Sequence, residues 1–393
     1  MRGVQPTAPF EELVGQRHAT DTVLAAARDA HGDPSAAGAM THAWLITGPP
    51  GSGRSNLAYA FATALLSPDG LPDERVRRQV AARTHPDLAV LASDRVTITI
   101  DEVRRLVAAS QYSPSVARYR VLVIEDADRM TERTSNVLLK ALEEPPERTV
   151  WVLCAPSEAD LLPTIRSRVR VVRLTVPSAD EVADLLVRRD GVDRGTAQRA
   201  AEEAQSHIGM AHRLATNAEA RARRDESIDL VLGLRTVPQA VRAAQRLLDL
   251  AREDAAALTD ERDEEERQAA LRSLGVEPGQ AVPAGLRATL RALEEDQKRR
   301  ATRSLRDSID RILVDLLSVH RDILLAGLGA DLAPVNAAWT DRIRDAAQRA
   351  TPQGTLAVLE AIATARRRLP ANVAPLLALE GMLMSVVLEG SRS

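Results

Sequence analysis

A chain of 393 residues exceeds what one hydrophobic core normally organises, so two or three domains are expected. With 52 Lys+Arg against 55 Asp+Glu no whole-chain basic field marks a nucleic-acid coat, and aromatic residues at 2% argue against a base-stacking platform. The one cysteine, Cys154, excludes an internal disulfide framework and a cysteine-built zinc site, and no apolar run reads as a signal core or a bilayer span, so a cytoplasmic protein without zinc is expected.

Residues 10–30 read as a turn at Gly15-Gln16 followed by an amphipathic helix carrying Val23 and Leu24, and His31–Met40 reads as a loop. Trp44–Thr47 is an apolar strand. It runs into Gly48-Pro49-Pro50-Gly51-Ser52-Gly53-Arg54-Ser55, after which Asn56–Leu66 has the apolar periodicity of a helix packed on a sheet. Ser67–Arg83 is polar and ambiguous. Ala89–Leu91 is a short strand, Thr97–Ile100 alternates briefly, and Asp101 is a candidate cap for the next helix. Arg120–Ile124 is a buried strand ending in Glu125-Asp126, and Thr134–Glu144 is a helix closed by Pro145-Pro146. Val150–Leu153 is a strand ending at Cys154, Leu161–Ser167 a short helical turn, and Val169–Leu174 a last strand. Strands alternating with helices over 10–175 give an α/β fold with a parallel sheet.

Beyond Pro177 the strand signals vanish. Ser178 with Glu181 opens a run of short helices to about Asn217, and a longer helical region begins near Arg221. The charged run Asp260–Arg267, with Gly275, Pro278 and Pro283, is expected to interrupt helix over about 253–300 as an exposed, partly mobile insertion. Leu305–Leu328, Leu356–Arg368 and Val373–Leu388 are helical again.

The segment Gly48–Ser55 follows the phosphate-loop pattern G-x-x-x-x-G-K-[ST] except at one position. Glycines let backbone N–H groups curl around phosphate oxygens, a lysine reaches the terminal phosphates, and the hydroxyl meets Mg²⁺. Arg54 stands in the lysine's place. The lysines of the chain are Lys140 and Lys298, so a general drift toward arginine is one explanation of that exchange.

Several segments together resemble the bacterial DNA polymerase III clamp-loader subunits, ATPases of the AAA+ class: Phe10–Gln16, Gly48–Ser55, His85-Pro86-Asp87, Ile100–Arg104, Tyr119–Met130, Asn136–Pro146 and Thr164–Arg168. The resemblance covers about 1–215. It implies an AAA+ α/β nucleotide-binding domain (1–175), a small helical lid (176–220) and an all-α collar (221–393) for oligomerisation. It also implies ATP or ADP with Mg²⁺ bound at Gly48, Pro49, Pro50, Gly51, Ser52, Gly53, Arg54, Ser55 and Asn56, with Glu125 and Asp126 opposite. Ser55 and Glu125 would serve the Mg²⁺. His212 and Arg213 fall at the second-sensor position, where a solvated His-Arg pair is the competing reading. The Lys140 and Glu144 pair, four apart, reads as a structural helix pair.

In this family Ser167-Arg168 is where an arginine finger is donated to a neighbouring subunit's γ-phosphate, and Val169 replaces the usual cysteine. Thr99, Arg104, Arg105 and Ser113 fall where relatives track primer–template DNA, although a solvated surface explains the same residues. Catalytic members carry lysine at position 54, Asp-Glu at 125–126 and zinc-binding cysteines around 67–85. Arg54, the reversed Glu125-Asp126 and the lack of those cysteines point to the δ′ type, assembling with gamma/tau and delta subunits and the sliding clamp and binding nucleotide weakly with little or no turnover. The rivals are a catalytic gamma/tau-type ATPase and a purely structural subunit with a dead nucleotide site.

Overall fold

The computed structural model describes residues 10, 13–49, 51–92, 97–273, 287–371 and 373–390, and the chain forms two compact units, Met1–Thr216 and Asn217–Ser393. The first is built on five strands: β1 (Ala43–Thr47), β2 (Leu88–Leu91), β3 (Arg120–Ile124), β4 (Thr149–Ala155) and β5 (Arg170–Arg173). Their order is β2-β3-β4-β1-β5, with every neighbouring pair parallel. All residues of β1, β3 and β4 are buried, as expected of strands covered on both faces.

The two-residue period of the strands sorts the core into two layers. Trp44, Ile46, Val121, Val123, Val152 and Cys154 pack against α1 (Arg17–Ala30), α2 (Arg54–Leu66) and α3 (Glu74–Ala81). Leu45, Leu122, Ile124, Trp151 and Leu153 face α4 (Ile100–Ser110) and α5 (Glu132–Glu143). The pairings Thr47↔Ala155 and Ile124↔Leu153 bring the ends of β1, β3 and β4 to one edge. The glycine loop and Glu125 therefore start from the same edge, where α/β sheets bind their ligands. After the short α6 (Pro163–Arg166) and β5 come α7 (Ala179–Asp190), α8 (Arg194–Glu203) and α9 (Ile208–Thr216), with an apolar core of their own that includes Val182, Leu186, Ala197, Ala201 and Leu214. Ser178 and Glu181 form the expected capping box of α7.

Some local expectations need correction. The helix after the glycine loop begins at Arg54, two residues before the expected Asn56, because Gly53 adopts the left-handed N-cap conformation (φ 91°, ψ 25°). Asp101 is not the cap of α4: Thr99 is, its hydroxyl accepting the Glu102 N–H while the Glu102 carboxylate returns to the Thr99 N–H. The ambiguous stretch 67–83 contains α3, capped by Asp73. Thr97–Ile100 holds only an isolated bridge, Ile98 to Met130.

The second unit consists of α10 (Ala218–Leu232), α11 (Val237–Ser273), α12 (Arg287–Gly327), α13 (Thr340–Arg349), α14 (Pro352–Arg368) and α15 (Pro375–Gly390). Its main apolar core runs through Leu247, Leu250, Leu313, Leu316, Ile362 and Leu383. The charged run 260–267, expected to break the helix, lies inside α11. Glu and Arg are good helix formers, and Asp263 accepts from Arg300 of α12 at 2.8 Å, with Glu266 as that arginine's second partner. Gly275, Pro278 and Pro283 lie outside the described residues. Below this pair Arg224 reaches Asp315 at 3.1 Å and Asn336 at 2.6 Å, and Asn336 donates to Asp322 at 2.9 Å. Among the described residues no helix is long and apolar enough to cross a membrane.

Candidate functional site

The glycine loop leaves β1 at Gly48, whose N–H donates to Pro156 O at 3.2 Å, and turns back through Ser52 N–H to Pro49 O at 3.1 Å. Gly51 has φ +80°. A Cβ there would meet the His207 imidazole, so this position is restricted both by backbone conformation and by space. Pro50 lies outside the described residues. The first turn of α2 is Arg54, Ser55 and Asn56, whose N–H groups lie in the turn that has no intrahelical acceptors. Ser52 is 2% exposed, and its buried hydroxyl has no hydrogen-bond partner among the described residues. A buried orphan donor beside a helix N-terminus fits a phosphate group.

Arg54 does not reach outward. Its Nη1 donates to Gly48 O at 3.1 Å, folding the guanidinium across the loop's own backbone. Glu125 lies opposite and both its oxygens are taken. Oε2 accepts the Ser55 hydroxyl at 3.2 Å; Oε1 accepts the Tyr59 hydroxyl and Arg83 Nη2, the latter at 2.8 Å. The Arg83 guanidinium also stands 5.8 Å from the Tyr59 ring centroid. Burial and the Glu125 hydrogen bond push the Tyr59 hydroxyl well above its usual range, so it stays protonated and donates. Asp126, φ +35°, turns away to Arg129 at 3.5 Å. The two neighbouring acids thus serve different partners. Cys154 is 2% exposed, and burial pushes its thiol far above the ordinary range, consistent with a small apolar filler.

The candidate Mg²⁺ ligands, Ser55 and Glu125, are bonded to each other, and Glu125 carries an arginine as well. A hard cation that demands octahedral oxygen donors does not fit this arrangement of the pair. Among the described residues no cluster of three or more His, Cys, Asp or Glu side chains is placed to hold a metal ion.

The remaining sequence candidates do not gather at this edge: Arg168 precedes β5, and Ser113 precedes β3, at the other end of the parallel strands. His212 Nδ1 meets Asp190 Oδ2 at 2.7 Å. Burial pushes the Asp190 carboxyl up, but the Arg189 and His212 hydrogen bonds outweigh it and hold the group below the usual carboxylate range. Its neighbour Arg213 occupies the same helix, α9. Arg168 follows α6, donating Nη1 to Thr164 O at 2.7 Å and to Ser167 Oγ at 2.9 Å, while Nη2 meets Glu143 of α5 at 2.5 Å. Thr99 is committed to capping α4, Arg104 and Arg105 lean back on Asp101, and the Ser113 carbonyl accepts from Arg120.

Three residues at the site escaped sequence reading: Tyr59, Arg83 and His207. Tyr59 had a signal, since it lies four residues after Ser55 and so shares its helix face. Arg83 and His207 come from distant segments and had none.

The family model described as "DNA polymerase III, delta subunit" matches residues 33–178. Over those residues the chain is similar to DNA polymerase III clamp-loader subunits. The chain is 33% identical over 169 residues to the gamma/tau subunit of Mycobacterium bovis, covering 41% of this chain and 28% of that one. It is 34% identical over 154 residues to the delta′ subunit of Pseudomonas aeruginosa, covering 37% and 47%, and 35% identical over 148 residues to the delta′ subunit of Escherichia coli, covering 36% and 44%. The matches span less than half the length of each of these relatives. The matched residues lie within the α/β unit with the five-stranded parallel sheet.

Proposed function

We propose that this chain is a delta′-type subunit of the DNA polymerase III clamp loader. It works in the cytoplasm with gamma/tau and delta subunits to load the sliding clamp onto primed DNA. Its own pocket retains ATP or ADP with little turnover, and Arg168 acts in the site of the neighbouring subunit. The observation that carries this reading is the state of the loop: Arg54 bonds to Gly48 O at 3.1 Å and Glu125 is held by Ser55, Tyr59 and Arg83. A phosphate cradle is retained while the groups that would position a transferring phosphoryl group face one another.

Arg168 is 34% exposed in its side chain and is held by Glu143 and Ser167, in reach of an intermolecular partner at modest cost. The reconstituted loader with Arg168→Ala is expected to lose turnover at one neighbouring site, by on the order of 10³-fold there. An unchanged rate sinks the finger assignment. The purified chain alone is expected to show little ATPase; robust turnover abolished by Arg54→Ala would instead favour the catalytic gamma/tau reading, which the Mycobacterium bovis similarity supports. A chain that binds no nucleotide would be the purely structural subunit.

A further inference from the structure

We propose that Arg83 takes the place of the divalent cation at Glu125, so that this pocket holds a nucleotide phosphate group without needing Mg²⁺. The inference rests on the nucleotide reading of the loop given above and adds to it the charge partner and the metal dependence.

Arg83 ends the turn after α3 with φ +55°, a conformation that points the chain back toward the sheet edge, where Nη2 meets Glu125 Oε1 at 2.8 Å. The Glu125 side chain is 19% exposed, so its charge sits largely out of water and needs a counter-charge. In a metal-dependent phosphate site that counter-charge is the cation, which also bridges the acid to the phosphates. Here the guanidinium supplies it from the side, and the two hydroxyls of Tyr59 and Ser55 each donate to the carboxylate, so that both oxygens are engaged. With Glu125 neutralised, the acid no longer repels an incoming phosphate. The cradle's own attraction then comes from the N-terminal amides of α2, the Ser52 hydroxyl and Arg54. A cation could recruit Glu125 and Ser55 only after displacing Arg83 and breaking the Ser55 contact.

Arg83 is half-exposed at a helix end, so its replacement is not expected to compromise folding. The test is calorimetric titration of the full chain with Mn²⁺ alone, and separately with ADP in EDTA or in Mg²⁺, for the native chain, Arg83→Gln and Arg83→Gln/Glu125→Gln. The native chain is expected to bind Mn²⁺ poorly, Arg83→Gln at least tenfold more tightly, and the double variant poorly again. ADP affinity should be the same with and without Mg²⁺ in the native chain and become Mg²⁺-dependent in Arg83→Gln. Mn²⁺ affinity unchanged by Arg83→Gln, or native ADP binding that requires Mg²⁺, overturns the proposal. Failure of ADP to bind in every arm removes the nucleotide reading, and the Mn²⁺ titration still decides whether Arg83 occupies the cation's position.

Discussion

Asp87 shows how far one residue can be fixed by the chain around it. It is fully buried, and its carboxylate accepts the N–H groups of Ser115, Val116 and Ala117 at 2.5, 2.7 and 2.8 Å, with Arg120 at 3.4 Å. Burial pushes the carboxyl up, but the three backbone donors and Arg120 outweigh it and hold the group below the usual range. A carboxylate with a lowered folded pKa contributes stability that is complete above its unfolded value and is lost as pH falls through the folded one, so this contribution declines below about pH 4. Asp87→Asn keeps the size but cannot serve three donors, and a loss of about 3 kcal/mol in chemical denaturation at neutral pH is expected, together with a flatter acid limb. An unaltered denaturation midpoint would show that the loop 113–117 holds itself. His85-Pro86-Asp87 was legible in the sequence as a family segment; what Asp87 ties together was not, because its partners lie 28 to 33 residues away.

At the scale of elements, capping decides where helices begin. Thr99 is named among the candidate DNA-contacting residues, yet its hydroxyl and N–H are both occupied by Glu102 within its own chain. Thr99→Ala should cost about 1 kcal/mol, read by urea unfolding. If stability is unchanged and primed-DNA binding by the assembled loader falls, the residue serves DNA rather than the helix. The long pair α11 and α12 makes the complementary point. A run of acids and arginines reads as a solvated interruption when taken alone, but Arg300 lies beside Asp263 and Glu266 in antiparallel register, and opposite charges there support both helices. Only the partner helix reveals it.

At the scale of the molecule, the first unit contains every residue assigned to the nucleotide pocket, from Gly48 to Arg213, and has its own apolar cores. A chain ending at Thr216 is therefore expected to unfold cooperatively and to bind ADP with the affinity of the full chain, measured by calorimetry. Loss of binding in a folded fragment would overturn this expectation.

By itself the sequence determined the five strands and most of the helices between them over 10–175, the parallel sheet and the place of the glycine loop, but not α3. These follow from local apolar periodicity and from turn residues within a few positions of one another. It also placed Arg54, Glu125 and Arg168 as the residues to watch. The tertiary structure alone decided what those residues touch. Arg54 turns onto Gly48, Glu125 is shared among Ser55, Tyr59 and Arg83, and Arg168 rests on Glu143. Hydrogen bonds between residues 42 to 70 positions apart depend on which segments the sheet brings to one edge, and no local pattern encodes that.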